Sequence, residues 1–174
     1  MASNKFAWAS IGENGHATGG KRGDQTGREV KVGDYYNFGQ DCVIRFKDRS
    51  IAKKAGQIAR FIANDDSCGY NQDDRISLYC DCQDLDWDFS KIKKAMKKGT
   101  FPKCNTDCSA FVSTVINIAY GRKMVGCFTT STMYDNTVKK YPKQFEKISV
   151  TKAKEQWRKG DMPLKAGKHV IINV

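Results

Sequence analysis

The stretch Asn105–Asn117 constrains this chain more than any other. Thr106 or Asp107 can cap a helix. Cys108, Phe111, Val112, Val115, Ile116 and Ala119 then recur at helical spacing on one stripe, which runs to Tyr120 and stops at Gly121. The thiol of Cys108 therefore points the way the core does. It also falls in the first turn, where the positive end of the helix favours thiolate over thiol and free backbone N–H groups can hold an oxyanion. The alternative is a buried structural cysteine at a helix start.

The remaining pattern places helices in the middle and strands at both ends. Residues 10–27 hold six glycines and read as a loop or paired turns. Strands are expected at Glu29–Tyr35, Cys42–Phe46, Phe145–Val150 and His169–Val174. Helices are expected from a Ser50 cap through Ile62, and over Gln72–Cys82, Phe89–Lys98 and Ser131–Lys140. The stretch Gly160–Gly167 reads as a connection to the last strand. This order predicts an α+β architecture. The 174 residues are expected to form a single catalytic domain, with residues 1–8 as a flexible N-terminus.

Hydrophobic content of 40% excludes wholesale disorder, and no apolar run approaches the ~20 residues that cross a bilayer, so membrane insertion is not expected. The start has no secretion-signal layout. Thirty Lys and Arg against nineteen Asp and Glu give +11, which favours a polyanionic partner. The Lys-rich stretches Lys91–Lys98 and Val138–Lys154 lack the interleaved aromatics of a base-stacking platform. Seven cysteines form an odd set with no visible disulfide framework. A zinc site from Cys80, Cys82, Cys104 and Cys108 would need C-x-C and C-x-x-x-C spacings in place of C-x-x-C knuckles, so no metal or other cofactor is expected.

Of the two histidines, His16 lies in the glycine-rich loop and His169 opens an apolar strand. A cysteine opening a helix and a histidine opening a strand is the layout of a thiol nucleophile with its general base. His16 competes for that role without a strand context.

Asp107-Cys108-Ser109-Ala110-Phe111 resembles the D-C-S-x-[FL] nucleophile motif of NlpC-type cell-wall cysteine peptidases. Gly160-Asp161-Met162, followed by Gly167-Lys168-His169-Val170, resembles their histidine motif. Ala9–Gly15 with Gly19–Val30 is similar to the opening of a subgroup found in bacteriophage endolysins and related peptidoglycan hydrolases. The resemblance implies a papain-like fold, in which a helix bearing the nucleophile packs on an antiparallel sheet bearing the histidine. It implies hydrolysis of a stem-peptide or muramoyl-peptide amide through a thioester, without metal. It also implies substrate-amine binding by Asp107 and Ser109, with Tyr70 as the candidate upstream tyrosine. The expected setting is the bacterial cell wall, reached by secretion or by release from the host cytoplasm as a phage lysin. Expected partners are the peptidoglycan peptide and anionic wall polymers, with no specific nucleic acid, for a monomeric protein.

One departure stands out. The residue that orients the histidine normally follows about a dozen positions later, yet only five residues follow His169 here. Asn173 shares its strand face but lies four residues, roughly 13 Å, away. Either the sequence stops short of that residue or the missing strand comes from the other end of the chain. The second is favoured: a permuted sheet completed by the opening segment and Glu29–Tyr35 would bring Asp24, Gln25 or Glu29 to His169 or to an oxyanion hole. The competing reading of Gly23–Gly27 is a tight turn, with Asp24 and Thr26 bonding their own backbone. Two rival functions stay open: a cysteine amidase acting on a non-wall amide, and a non-catalytic basic module binding wall or nucleic acid, with Cys108 structural.

Overall fold

The computed structural model describes residues 4–174. Their order is β1 (Lys5–Ala9), β2 (Val30–Asp34), β3 (Cys42–Phe46), α1 (Arg49–Ile62), β4 (Cys68–Tyr70), α2 (Ser77–Asp84), α3 (Phe89–Lys97), β5 (Cys104–Thr106), α4 (Cys108–Tyr120), a π-helical turn (Asp135–Lys139), β6 (Phe145–Ile148), α5 (Val150–Glu155), β7 (Met162–Lys165), β8 (His169–Val170) and β9 (Ile172–Asn173). The architecture is α+β.

Two antiparallel sheets, ordered β6-β3-β7-β8 and β2-β1-β9, meet at the last strand. Residues 169–173 break only at Ile171, so β8 pairs with β7 through Lys165↔His169 while β9 pairs with β1 through Phe6↔Asn173. The N-terminal strand therefore does flank the histidine-bearing segment. Its main contributor is β1, with β2 one strand further out. Residues 5–8 are not the flexible N-terminus expected of them, because Phe6, Ala7 and Trp8 are all buried. The expectation for residues 1–3 lies outside the described residues.

Strand β1 shows why. Ala7 and Ala9 face the main core beneath the helices, while Phe6 and Trp8 pack with Ile171, Tyr35, Phe38 and Trp157 on the other face. Helix α4, apolar along almost its whole length, sits against α1, α2 and β8. It ends at Gly121 in the left-handed region, φ 64°. Helix α1 is capped by Asp48, which accepts from the Ser50 and Ile51 amides, so the cap falls two residues before the expected Ser50.

Gly160 explains half of the Gly-Asp pair in the histidine motif. At φ +81° a Cβ there would meet the Ala52 carbonyl of α1 at 2.7 Å, so only glycine lets this bend lie on α1. Asp161 supplies the other half. It is fully buried and takes both Nε and Nη2 of Arg45 at 2.7 Å, while the Arg158 amide donates to it at 2.9 Å.

Candidate active site

Asp107 caps α4, accepting from the Ala110 amide at 2.7 Å and the Ser109 hydroxyl at 2.8 Å. Cys108 is thus fixed in the first turn, 7% exposed. Three backbone N–H groups act on its sulfur: that of Val170 in β8, that of Ser109 and its own. The thiol is therefore seated against the residue next to His169. No Sγ–imidazole hydrogen bond is formed at rest.

The expected preference for thiolate is overturned. Burial, and after it the adjacent Asp107 charge, push the Cys108 thiol up to about 12, and the three N–H groups offset this only in part. His169 moves the other way, down to about 4, because burial disfavours the imidazolium. Its Nε2 is buried without a partner. The ring is packed instead by aromatic residues of the β2–β3 connection. Phe38 meets it edge-on at 5.1 Å, and the Tyr36 centroid lies 6.3 Å away. Tyr36 borders both halves of the site, since burial and then the nearness of Cys108 push its phenol up. Tyr70 of β4 borders the Cys108 half: burial pushes its phenol up, a hydrogen bond from Gln72 acts in the opposite sense, and the nearness of Cys108 and Asp107 adds to the rise. That bond, Gln72 Nε2 to Tyr70 Oη at 3.0 Å, leaves the phenolic hydrogen free to donate.

The three residues expected near His169 are engaged elsewhere. Asp24 accepts from the amides of Thr26, Arg28, Glu29 and Val30, which is the tight-turn reading. Gln25 Nε2 donates to the Arg22 and Gly23 carbonyls. Glu29 is fully buried and accepts from the amides of Gln25 at 2.7 Å and Tyr70 at 2.9 Å. Asp24, Gln25 and Glu29 brace the opening loop against β4, and so position Tyr70, without a hydrogen bond to His169. Gly20 lets that loop approach, since a Cβ there would lie 2.6 Å from the Tyr70 carbonyl. His16 is exposed on the same loop, its amide bonded to Asn14, and makes no hydrogen bond to Cys108.

Arg75 is a site residue that no motif announces. Its guanidinium pairs with Asp107, donates to Ser109 Oγ at 3.1 Å and reaches the Phe128 carbonyl. The two side chains expected to receive a substrate amine thus already hold an internal cation. Nothing in the run Asp73-Asp74-Arg75 marks this role. Tyr36 and Phe38 are also unexpected at the site, although three aromatics within Tyr35–Phe38 form a detectable cluster in a polar connection.

The four cysteines considered for zinc do not converge: Cys80 is exposed, whereas Cys82 and Cys104 lie in the core near Cys68. Among the described residues no group of three or more His, Cys, Asp or Glu is arranged to hold a metal, and no helix is long and apolar enough to cross a membrane.

The family model described as endolysin-like domain matches residues 6–174. The chain belongs to the endolysin-like domain family. That membership points to a phage-lysin-related role for this endolysin-like domain, and its span takes in β1, the opening loop, α4 and the histidine strand together. Comparison with curated proteins and with solved structures finds no match.

Proposed function

We propose that this endolysin-like domain is a papain-like, NlpC-type cysteine hydrolase of peptidoglycan, cutting a stem-peptide or muramoyl-peptide amide with Cys108 as nucleophile and His169 as general base. The observation that carries the reading is the seating of the Cys108 sulfur against the Val170 amide, at the start of the strand that His169 opens. Neutral imidazole removes the thiol proton as sulfur attacks the carbonyl carbon. The new C–S bond pushes the carbonyl electrons onto oxygen, where the Cys108 and Ser109 amides, released as the sulfur bonds carbon, and the Tyr70 hydroxyl can donate. The imidazolium then protonates the leaving nitrogen, the C–N bond breaks and a thioester remains. His169 next deprotonates water, which attacks the thioester, releases the acid and restores the thiol. No step calls for a cofactor.

The engagement of Asp107 and Ser109 by Arg75 favours substrates whose nitrogen at that subsite is acylated, as in a muramoyl-peptide amide, over stems with a free amine. Large exposed apolar side chains, Ile11, Tyr36 and Ile76, lie in the segments that border the site and offer a surface for the stem peptide. The place of action is the bacterial cell wall, as for a phage lysin. The protein acts as a monomer, and anionic wall polymers draw its positive charge.

Mass spectrometry of fragments released from defined peptidoglycan tests this. Wild type should release a new amine–carboxylate pair, and Cys108→Ser and His169→Ala should each lose at least ~10³-fold in rate. Release by Cys108→Ser within tenfold of wild type, roughly 1.4 kcal/mol in barrier, refutes the reading. A buried thiol held near 12 with no bond to imidazole also fits a structural cysteine in a binding module. In that case Cys108→Ala would keep wall binding, and wild type would release nothing.

A further inference from the structure

A cavity of about 300 Å³ opens at the N-terminal end of α1, lined by Arg45 and Phe46 of β3, Arg49, Ala52 and Lys53 of α1, and Gln156, Arg158 and Lys159 after α5. We propose that this cavity binds the phosphate groups of a polyol-phosphate wall polymer, giving the domain an anchoring site separate from Cys108 and His169.

The charge is one-sided. Arg49, Lys53, Arg158 and Lys159 take part in none of the ion pairs among the described residues. The buried carboxylate behind the cavity cannot serve them. Asp161 is fully enclosed, and its two oxygens are filled by Arg45 and the Arg158 amide. Asp48, beside Arg49 in the chain, caps α1, and Glu146 acts on Arg45 electrostatically without lining the cavity. Burial, then Arg60 and Lys53, press the Lys159 ammonium down, as expected of cations gathered without a counter-charge. An anion entering here gains several charge-assisted hydrogen bonds and relieves that repulsion.

The lining also selects among polyanions. Its only aromatic ring, Phe46, is 3% exposed, so a nucleic-acid base finds nothing to stack on. A concave pocket with cationic walls and no stacking surface suits a thin phosphodiester chain that carries no bases. The choice of a wall polymer as occupant rests on the proposed function, whereas the phosphate site itself does not.

The probe is poly(glycerol phosphate), compared with a single-stranded oligonucleotide of equal phosphate number at ~0.15 M salt, with binding measured by calorimetry. Lys53→Ala/Lys159→Ala should weaken polymer binding at least ~10-fold, and Lys94→Ala/Lys97→Ala on α3, which removes the same charge, less than ~2-fold. The polymer should also raise the melting temperature of wild type and leave that of the Lys53/Lys159 variant unchanged. Equal losses in the two double variants, or an oligonucleotide bound as tightly as the polymer, overturns the proposal. Hydrolysis of soluble polymer-free muropeptides should be unaltered in Lys53→Ala/Lys159→Ala. If wild type binds the polymer yet cleaves no muropeptide, the hydrolase reading fails while the phosphate site stands.

Discussion

The resting protonation state of the site can be read from one thiol. With Cys108 at about 12, only about 10⁻⁵ of it is thiolate at pH 7, against about 3% for an ordinary cysteine near 8.5. The ratio is roughly 3,000. A more basic thiolate is more nucleophilic, with a Brønsted slope of about 0.4–0.5. Over about 3.5 pK units that restores roughly 40-fold and leaves a deficit near 100-fold. Exposure of only 7% deepens the deficit. Peptide-resolved mass spectrometry of iodoacetamide labelling measures it directly, with the exposed Cys80 in the same molecule as the reference thiol. Cys108 should label at least ~100-fold more slowly than a free thiol at pH 7, and its rate should climb about tenfold per pH unit from 7 to 10. A fast, flat rate between pH 5 and 8 that is lost in His169→Ala would mean a preformed thiolate–imidazolium pair. The argument that burial and Asp107 outweigh the helix terminus would then be wrong.

Two more outcomes follow from buried charge. His169 is held down at about 4 against 6.5 unfolded, so the unfolded chain binds more protons within that window and stability falls as pH drops from about 6.5 towards 4. Urea midpoints should show His169→Phe sparing up to ~3 kcal/mol of this acid loss, and identical pH slopes in the two proteins would count against it. Asp161→Asn leaves Arg45 charged and buried, at a cost of about 3–5 kcal/mol and a fall in Tm of roughly 10 °C. Arg45→Met/Asp161→Leu should recover most of that, and a single variant within ~1 kcal/mol of wild type would contradict the account.

What could be read from the sequence tracks where local signals act alone. Helix α4 begins and ends where the pattern places it, because Asp107 and Gly121 mark its ends by their own chemistry. Strand β3 and helix α3 are similarly legible, the latter capped by Asp88 and closed at Gly99. Strand β1 is not, because both its faces are buried and the alternation of Phe6 and Trp8 with Ala7 and Ala9 carries no polar side. Strand β7 is hidden by Pro163 and the glycines at 160 and 167, and reads as a connection until β3 pairs with it. The three-residue strands β4 and β5 exist only through their parallel pairing, Cys68↔Cys104 to Tyr70↔Thr106, which no local pattern announces. The stretch Ser131–Lys140 yields a turn and a π-helical segment in place of an α-helix. Within the site, Cys108 and His169 could be picked by residue type. Arg75 could not, since its role arises only from long-range packing, and the aromatic cluster at Tyr35–Phe38 is visible without showing that Tyr36 and Phe38 meet His169.

That packing bears on how Cys108 and His169 would work together in the proposed function. The strand beside β9 is β1, whose side chains on the Ile171 face are Phe6 and Trp8, and the β2–β3 connection adds Tyr36 and Phe38 there. The ring contacts of His169 are with Tyr36 and Phe38. Such packing fixes the plane of the imidazole but gives its buried Nε2 no acceptor, and burial disfavours the imidazolium. A histidine of this kind is a weak base that is wholly unprotonated at neutral pH. The neutral thiol–imidazole pair therefore lies far below the charged pair in the resting site, and on the proposed mechanism proton transfer becomes favourable only as charge moves from sulfur onto a bound carbonyl oxygen. Donors at that oxygen, proposed to be the first-turn amides of α4 and the Tyr70 hydroxyl, would then supply the stabilisation that a polar residue behind the histidine would otherwise share.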